Sequence, residues 1–494
     1  MSASTVKKNR QIAREQGIVD KKVQAELELA AKKKKEKTKW TIGAIVVAVV
    51  LVLVLFINSG AFKNNSTAAT IGDEKYEPGV VSYHMASQYY TWASTYSGYA
   101  ELLGLDTSSG IAGLAMQVCP LTEEGTWLDY FTAAGEQEML QIQALCDYAE
   151  ANGISLNEEE MAKIEEDLAN NATYAELMGF GSEENFYKQN YGALVTPEIA
   201  RQEGIRGTLA NKVLTEFIAS QEYTAAELEE KYSSFNGERD FFSYSFYYTE
   251  NEADAKAVLD AYNKASGDDI RAKMDEAVKS VEADSAAAHS DLVQASSLSG
   301  TYKNWLMEQS TVGAATMVEG NAEDYYVVVF RGREDNHYNT VNIRHILVKA
   351  EASEDGTYSD EAKAAAKKEA EEILAKWQAG DKTEDSFAAL ANELSEDGGS
   401  NTKGGLYENV IKGQMVEEFD AFCFDGHKSG DTAVVYGESG TYAGYHVMYF
   451  VGENELYSNL LAKDSLNTEA LEGFIAEQTA GLEVVRGFGS RFVG

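Results

Sequence analysis

The chain has six histidines in 494 residues. Two of them, His345 and His446, lie in short apolar runs of strand character: VNIRHILVK at 341–349 and AGYHVMYF at 443–450. Antiparallel pairing of these strands in the middle of a small sheet would set the two imidazoles side by side. An imidazole pair can exchange tautomers, orient its neighbours and titrate near neutrality. Between the two runs lie Asp397, which closes LANELSED before Gly398-Gly399, and Met415 and Phe419, which are four apart and share one face if both are helical. Taken singly, these are a core histidine, a turn aspartate and core apolar residues. Other chemistries lack their residues: there is no P-loop, no dinucleotide fingerprint, no G-x-S-x-G elbow and no Cys/His spacing for a metal.

The elements around these residues follow a definite order. An Ala/Lys/Glu-rich helix comes after the first strand, then FAALANELSED, Gly404-Gly405-Leu406, GQMVEEFDAFCF and the last strand. From 341 to about 452 this order resembles the parvulin (PpiC-like) family of peptidylprolyl isomerases. The resemblance implies a small antiparallel sheet with flanking helices. It makes His345 and His446 a hydrogen-bonded pair beneath the site, and Asp397 the polar group facing the substrate amide. Leu406, Met415 and Phe419 become the proline pocket, and Thr441 a neighbour of the histidine pair. It also implies rotation about Xaa-Pro bonds, with no cofactor. No thiol occupies the Asp397 position, so no covalent nucleophile is available there. The chain departs from the family at Gly404-Gly405-Leu406-Tyr407, where the usual turn has an Asp and a further Gly, and in one extra residue before Met415.

Charge is distributed unevenly. Residues 1–40 hold 12 Lys/Arg and 5 Asp/Glu, and the rest hold 30 and 75. The acidic remainder opposes nucleic-acid binding and favours solubility and basic or unfolded clients. Residues 41–57, TIGAIVVAVVLVLVLFI, carry no charge and reach the short end of a membrane span, with Trp40 at its edge and six lysines in 32–39. The positive-inside rule predicts residues 1–40 in the cytosol and the rest outside; a cleaved signal peptide is the rival reading. Cys119, Cys146 and Cys423 are too few for a disulfide framework and leave two readings open, one bridge (Cys119–Cys146) or buried free thiols.

The expected fold is α+β: a basic tail (1–39) of disordered or partly helical character, one transmembrane helix (40–58), a polar linker (59–79), a helical chaperone-like region (80–236), a parvulin domain (340–453) and a C-terminal helix with a loose end (454–494). Helix signals in the helical region are Gly153, Ser155 with Glu158, Thr196-Pro197 and Thr224 with Glu227. EDYYVVVFRGRED at 323–335 parallels AGYHVMYFVGENE at 443–455, and 241–249 parallels 341–349. A second, degenerate parvulin-like module over 237–335 is one reading, with Ser245 and Tyr326 in place of the two histidines; an unrelated α+β insert is the other. Two functions follow. One is a prolyl isomerase and foldase acting on exported polypeptides with Xaa-Pro bonds. The other is a holdase that grips chains through the same fold without turnover. The retained set His345, Asp397, Met415, Phe419 and His446 points to the first.

Overall fold

The computed structural model describes residues 2–17, 21–57, 59–123, 125–353 and 356–494. It divides into two compact units, Met1–Ser220 with Leu471–Gly494, and Gln221–Ala470.

The first unit begins with two helices, α1 (Ala3–Glu15) and α2 (Lys21–Ile57). The described residues of the basic tail are therefore mostly helical, because Lys, Glu, Gln and Ala are strong helix formers, and α2 runs unbroken through the boundary expected at residue 40. Within it Glu28–Ile57 is long and apolar enough to cross a membrane, by length and composition. Its Val and Leu side chains lie exposed, Leu55 at 71%. Asn58, the end of the expected span, lies outside the described residues.

The polar linker is structured instead. Ser59 caps α3 (Gly60–Asn64), and a hairpin follows, β1 (Ala69–Ile71) with β2 (Glu74–Tyr76). The C-terminal strand Val484–Arg486 pairs with β1, Ala69 opposite Arg486, so the chain end is not loose. Burial of Ala68, Ala69 and Ile71 explains this: short apolar runs bounded by polar residues need a partner to cover them.

The helical body comprises α4 (Pro78–Thr95), α5 (Trp127–Asn152), α6 (Glu158–Leu177), α7 (Glu183–Asn190) and α8 (Pro197–Ala219). Gly153 stops α5 in the left-handed conformation, φ 68°, and Thr196 caps α8 with Pro197 in its first turn. The capping box of α6 is Asn157 with Glu160, not Ser155 with Glu158; a Ser/Glu and an Asn/Glu pair compete there, and the later one captures the helix start. His84 lies buried between Glu138 and Glu203, at 2.8 and 3.0 Å. Burial lowers its proton affinity, but the two carboxylates outweigh this and raise it. The cysteines are all free.

The second unit opens with α9 (Ala225–Ser234), boxed by Thr224 and Glu227 as expected. Two four-stranded antiparallel sheets then follow one plan. The first contains β3 (Phe241–Thr249), helices α10 (Glu252–Lys264) and α11 (Ile270–Val281), β4 (Ala288–Gln294), helix α12 (Lys303–Glu308), β5 (Ala315–Glu319) and β6 (Tyr325–Glu334), in the strand order β4-β3-β6-β5. The second contains β7 (Asn339–Lys349), α13 (Asp360–Ala379), α14 (Glu384–Leu394), β8 (Leu406–Val410), α15 (Glu417–Phe424), β9 (Thr432–Ser439) and β10 (Tyr442–Leu456), ordered β8-β7-β10-β9. The chain continues into α16 (Tyr457–Thr479).

Both sheets carry a bulge at the same place. Register shifts between Phe330 and Gly332 in one, and between Phe450 and Gly452 in the other. Aligning the bulges puts Tyr326 at the His446 position and Phe246, not Ser245, at the His345 position: Phe246 faces Val328 as His345 faces Met448. Register against the neighbouring strand thus matches Tyr244 with Ile343, one residue away from the sequence comparison of 241–249 with 341–349. Where the second sheet has its histidines, the first has packed aromatics, with Phe246 6.0 Å from Tyr302 and 6.4 Å from Tyr326. Tyr302, just before α12, is buried over that face.

Candidate active site

His345 on β7 and His446 on β10 stand on adjacent antiparallel strands, His345 opposite Met448 and His446 opposite Leu347. Alternation along each strand sends both side chains to one face, and their Nδ1 atoms approach to 3.0 Å. Both are buried, at 3 and 4% exposure. Burial first, and then the neighbouring His345, pull the His446 pKa down to about 3, so this ring is neutral across the physiological range.

Asp397 is placed by the segment leaving α14. Ser395 accepts from the Leu347 amide and the Glu396 amide donates to the Leu347 carbonyl, so the segment runs alongside β7. His345 Nε2 then lies 2.9 Å from Asp397 Oδ2. The same oxygen accepts from Ser400 Oγ at 2.5 Å and from the Tyr407 hydroxyl at 2.9 Å, while Oδ1 accepts from the Gly399 amide at 3.1 Å. The His345 contact leads, with Ser400, Gly399 and Tyr407 adding to it against a burial cost, in holding this carboxyl well below the usual carboxylate range.

Two glycines make the packing possible. The Gly405 carbonyl accepts from the His345 amide at 2.9 Å, and Gly405 has φ 71°; a Cβ there would strike the His345 carbonyl. At Gly437 a Cβ would come within 2.5 Å of His446 Nε2. Arg344 fixes the Gly404 turn by donating to the Lys403 and Gly404 carbonyls at 3.1 and 3.0 Å.

Phe419 on α15 closes the face, its ring 5.3 Å from each imidazole and near-perpendicular to both. Met415 packs in the same cluster, but from the loop before α15, which starts at Glu417; proximity comes from the loop's path, not from a shared helix face. Leu406 and Thr441 are not brought to the histidines. Leu406 is half-buried opposite Arg344, and its neighbour Tyr407 takes the place in the Phe419 cluster. Thr441 is exposed and its hydroxyl meets Ser439 at 3.1 Å. Tyr442 reaches the pair in its stead, 3.0 Å from His446 Nε2.

Ser400, Tyr407 and Tyr442 are thus the site residues that sequence reading missed. The position of Tyr442, four before His446 on one strand, carried the signal, because residues an even number apart share a face. Tyr407 stood in the turn that departs from the family pattern. Burial pushes the Tyr407 pKa up to about 12, with the Asp397 charge adding to it.

Residues 326–449, from β6 into β10, match the family described as the PPIC-type PPIase domain. The chain carries a PPIC-type PPIase domain. Foldase protein PrsA 1 of Listeria innocua serovar 6a is 26% identical over 223 residues, which is 45% of this chain and 60% of that protein. Foldase protein PrsA 3 of Bacillus cereus is 31% identical over 138 residues, 28% of this chain and 40% of that one. The chain thus spans 40–60% of the length of these relatives. The crystal structure of PrsA from Bacillus subtilis is 16% identical, covering 73% of this chain and 90% of that one, with a TM-score of 0.28.

A second constellation lies outside the PPIase domain. Ser245 Oγ is 2.7 Å from His289 Nδ1, and His289 Nε2 is 3.2 Å from Asp275. The order suggests a nucleophilic triad, but Ser245 is wholly buried in β3, where no substrate carbonyl can reach it.

Proposed function

We propose that the chain is a peptidylprolyl cis–trans isomerase and foldase that acts on exported polypeptides outside the cytoplasmic membrane, tethered by α2. Planarity of the Xaa-Pro amide sets a barrier of about 18–20 kcal/mol, and no bond has to break. The protein needs only to bind the twisted amide more tightly than the planar one. The observation that carries the reading is the juxtaposition of the His345–His446 pair, the ionised Asp397 and the apolar wall of Phe419 and Met415. The apolar wall takes the pyrrolidine ring and excludes water. Twisting moves charge back onto the prolyl nitrogen and breaks amide resonance; fixed polar groups on a desolvated face respond to that change without reorganising. No cofactor enters.

The test is cis-to-trans isomerisation of an Xaa-Pro peptide by the full chain in detergent, beside His345→Ala and Asp397→Ala. Acceleration by the parent, reduced about 100-fold or more in each variant, is expected. A folded parent with no acceleration overturns the proposal.

A further inference from the structure

Both imidazoles of the pair are sealed from solvent, and the half-buried Tyr442 stands at the outer end of their hydrogen-bonded chain. The sequence along it is Tyr442 O to His446 Nε2 at 3.0 Å, His446 Nδ1 to His345 Nδ1 at 3.0 Å, and His345 Nε2 to Asp397 Oδ2 at 2.9 Å. A ring nitrogen either donates or accepts, so each hydrogen fixes the next. An ionised Asp397 only accepts, and His345 Nε2 therefore carries a hydrogen. With His345 neutral, its Nδ1 is a lone pair, His446 Nδ1 donates to it, and Tyr442 must donate to His446 Nε2. With His345 protonated, everything beyond it reverses: His446 Nδ1 accepts, His446 Nε2 donates, and Tyr442 must accept. Only a rotatable hydroxyl serves both states.

We propose that Tyr442 is the proton entry of the buried histidine pair, a positioning residue whose hydroxyl passes protons between solvent and His345. This rests on the isomerase reading of the same site. In the inward step a hydronium ion gives a proton to the Tyr442 oxygen, the original Tyr442 hydrogen moves to His446 Nε2, and the His446 Nδ1 hydrogen moves to His345 Nδ1. One proton enters, His345 gains one positive charge, and His446 and Tyr442 end neutral. Other groups facing the pair are Asp397 and Ser400 from the loop after α14, Tyr407 from β8 and the uncharged Phe419 from α15. A phenylalanine at 442 would leave the protonated state with a buried, unpaired N–H on His446, which is costly.

The experiment is long-range 1H–15N NMR of the histidines of the detergent-solubilised full chain across pH, for the parent and Tyr442→Phe, with the isomerase pH profile alongside. In the parent, the His446 hydrogen should move from Nδ1 to Nε2 as the pair takes up its proton. In Tyr442→Phe, the midpoint of that uptake should fall by about one pH unit or more, and the pH profile should shift with it. A parent in which His446 keeps one tautomer throughout overturns the proposal without any variant, as does a folded Tyr442→Phe that titrates like the parent. Absence of isomerase activity in the parent would defeat the functional reading alone, since the tautomers are read without turnover.

Discussion

Asp397 Oδ2 accepts three side-chain hydrogens at once, from His345, Ser400 and Tyr407. A charged oxygen accepts them more strongly than a neutral one of the same shape. Asparagine can offer its uncharged carbonyl to the three donors only by turning its NH2 to the Gly399 amide, and it loses the strength of a charge-assisted acceptor. Asp397→Asn is therefore expected to lower stability at neutral pH by about 1–3 kcal/mol, measured as the urea midpoint. The pH dependence has a definite sign. The carboxyl titrates well below its usual range when folded, and near 3.9 when unfolded, so its contribution is complete above about pH 4 and fades as pH falls further. The parent and Asp397→Asn should differ by a constant amount between pH 5 and 8 and converge below about pH 4. A difference that persists unchanged at pH 2.5 would show that the charge is not what the three donors need.

The short strands show how far elements could be read from sequence. The strand Val484–Arg486 joins β1 and places Arg486 on the buried Glu136, with bonds of 2.7 to 3.0 Å. Removing residues 482–494 would strip β1 of one neighbour and leave the Glu136 carboxylate without its cation. The expected result is a loss of several kcal/mol from the first unit, read as a lower urea midpoint in the fluorescence of Trp92 and Trp127, which pack together in its core; an unchanged midpoint would mean the strand is ornamental. Long periodic helices and the apolar strands β7 and β10 were legible, because their patterns repeat over many residues. Three-residue strands have no period to detect, and the partner of β1 lies more than 400 positions away, so that end of the chain passed for a tether and a loose tail. The same limit applied within the site. Strand alternation brought His345 and His446 together from sequence, and the same rule reaches Tyr442, but Tyr407 depended on a turn and the counterpart of His345 in the first sheet on strand register, neither of which sequence alone specifies.

For the whole chain, charge and hydropathy together bear on where the site works. Orientation across a membrane follows the Lys/Arg count beside the span, and 12 basic residues precede it within the first 40. The site-bearing unit should then lie outside the cytosol. With the three native cysteines replaced by serine, Ser266→Cys, on an exposed stretch after α10, should react with a membrane-impermeant maleimide in intact cells, and Ser4→Cys, exposed on α1, only after lysis. The opposite pattern would put the site in the cytosol and remove exported chains from its reach. The chemistry suits the outer side for a further reason. Rotation about an amide consumes no nucleotide and leaves no spent cofactor; tighter binding of the twisted bond lowers the barrier and leaves the equilibrium unchanged. A tethered site of this kind needs neither an energy supply nor recycling. On the proposed reading, the 75 acidic against 30 basic residues beyond position 40 would favour solubility beside the membrane.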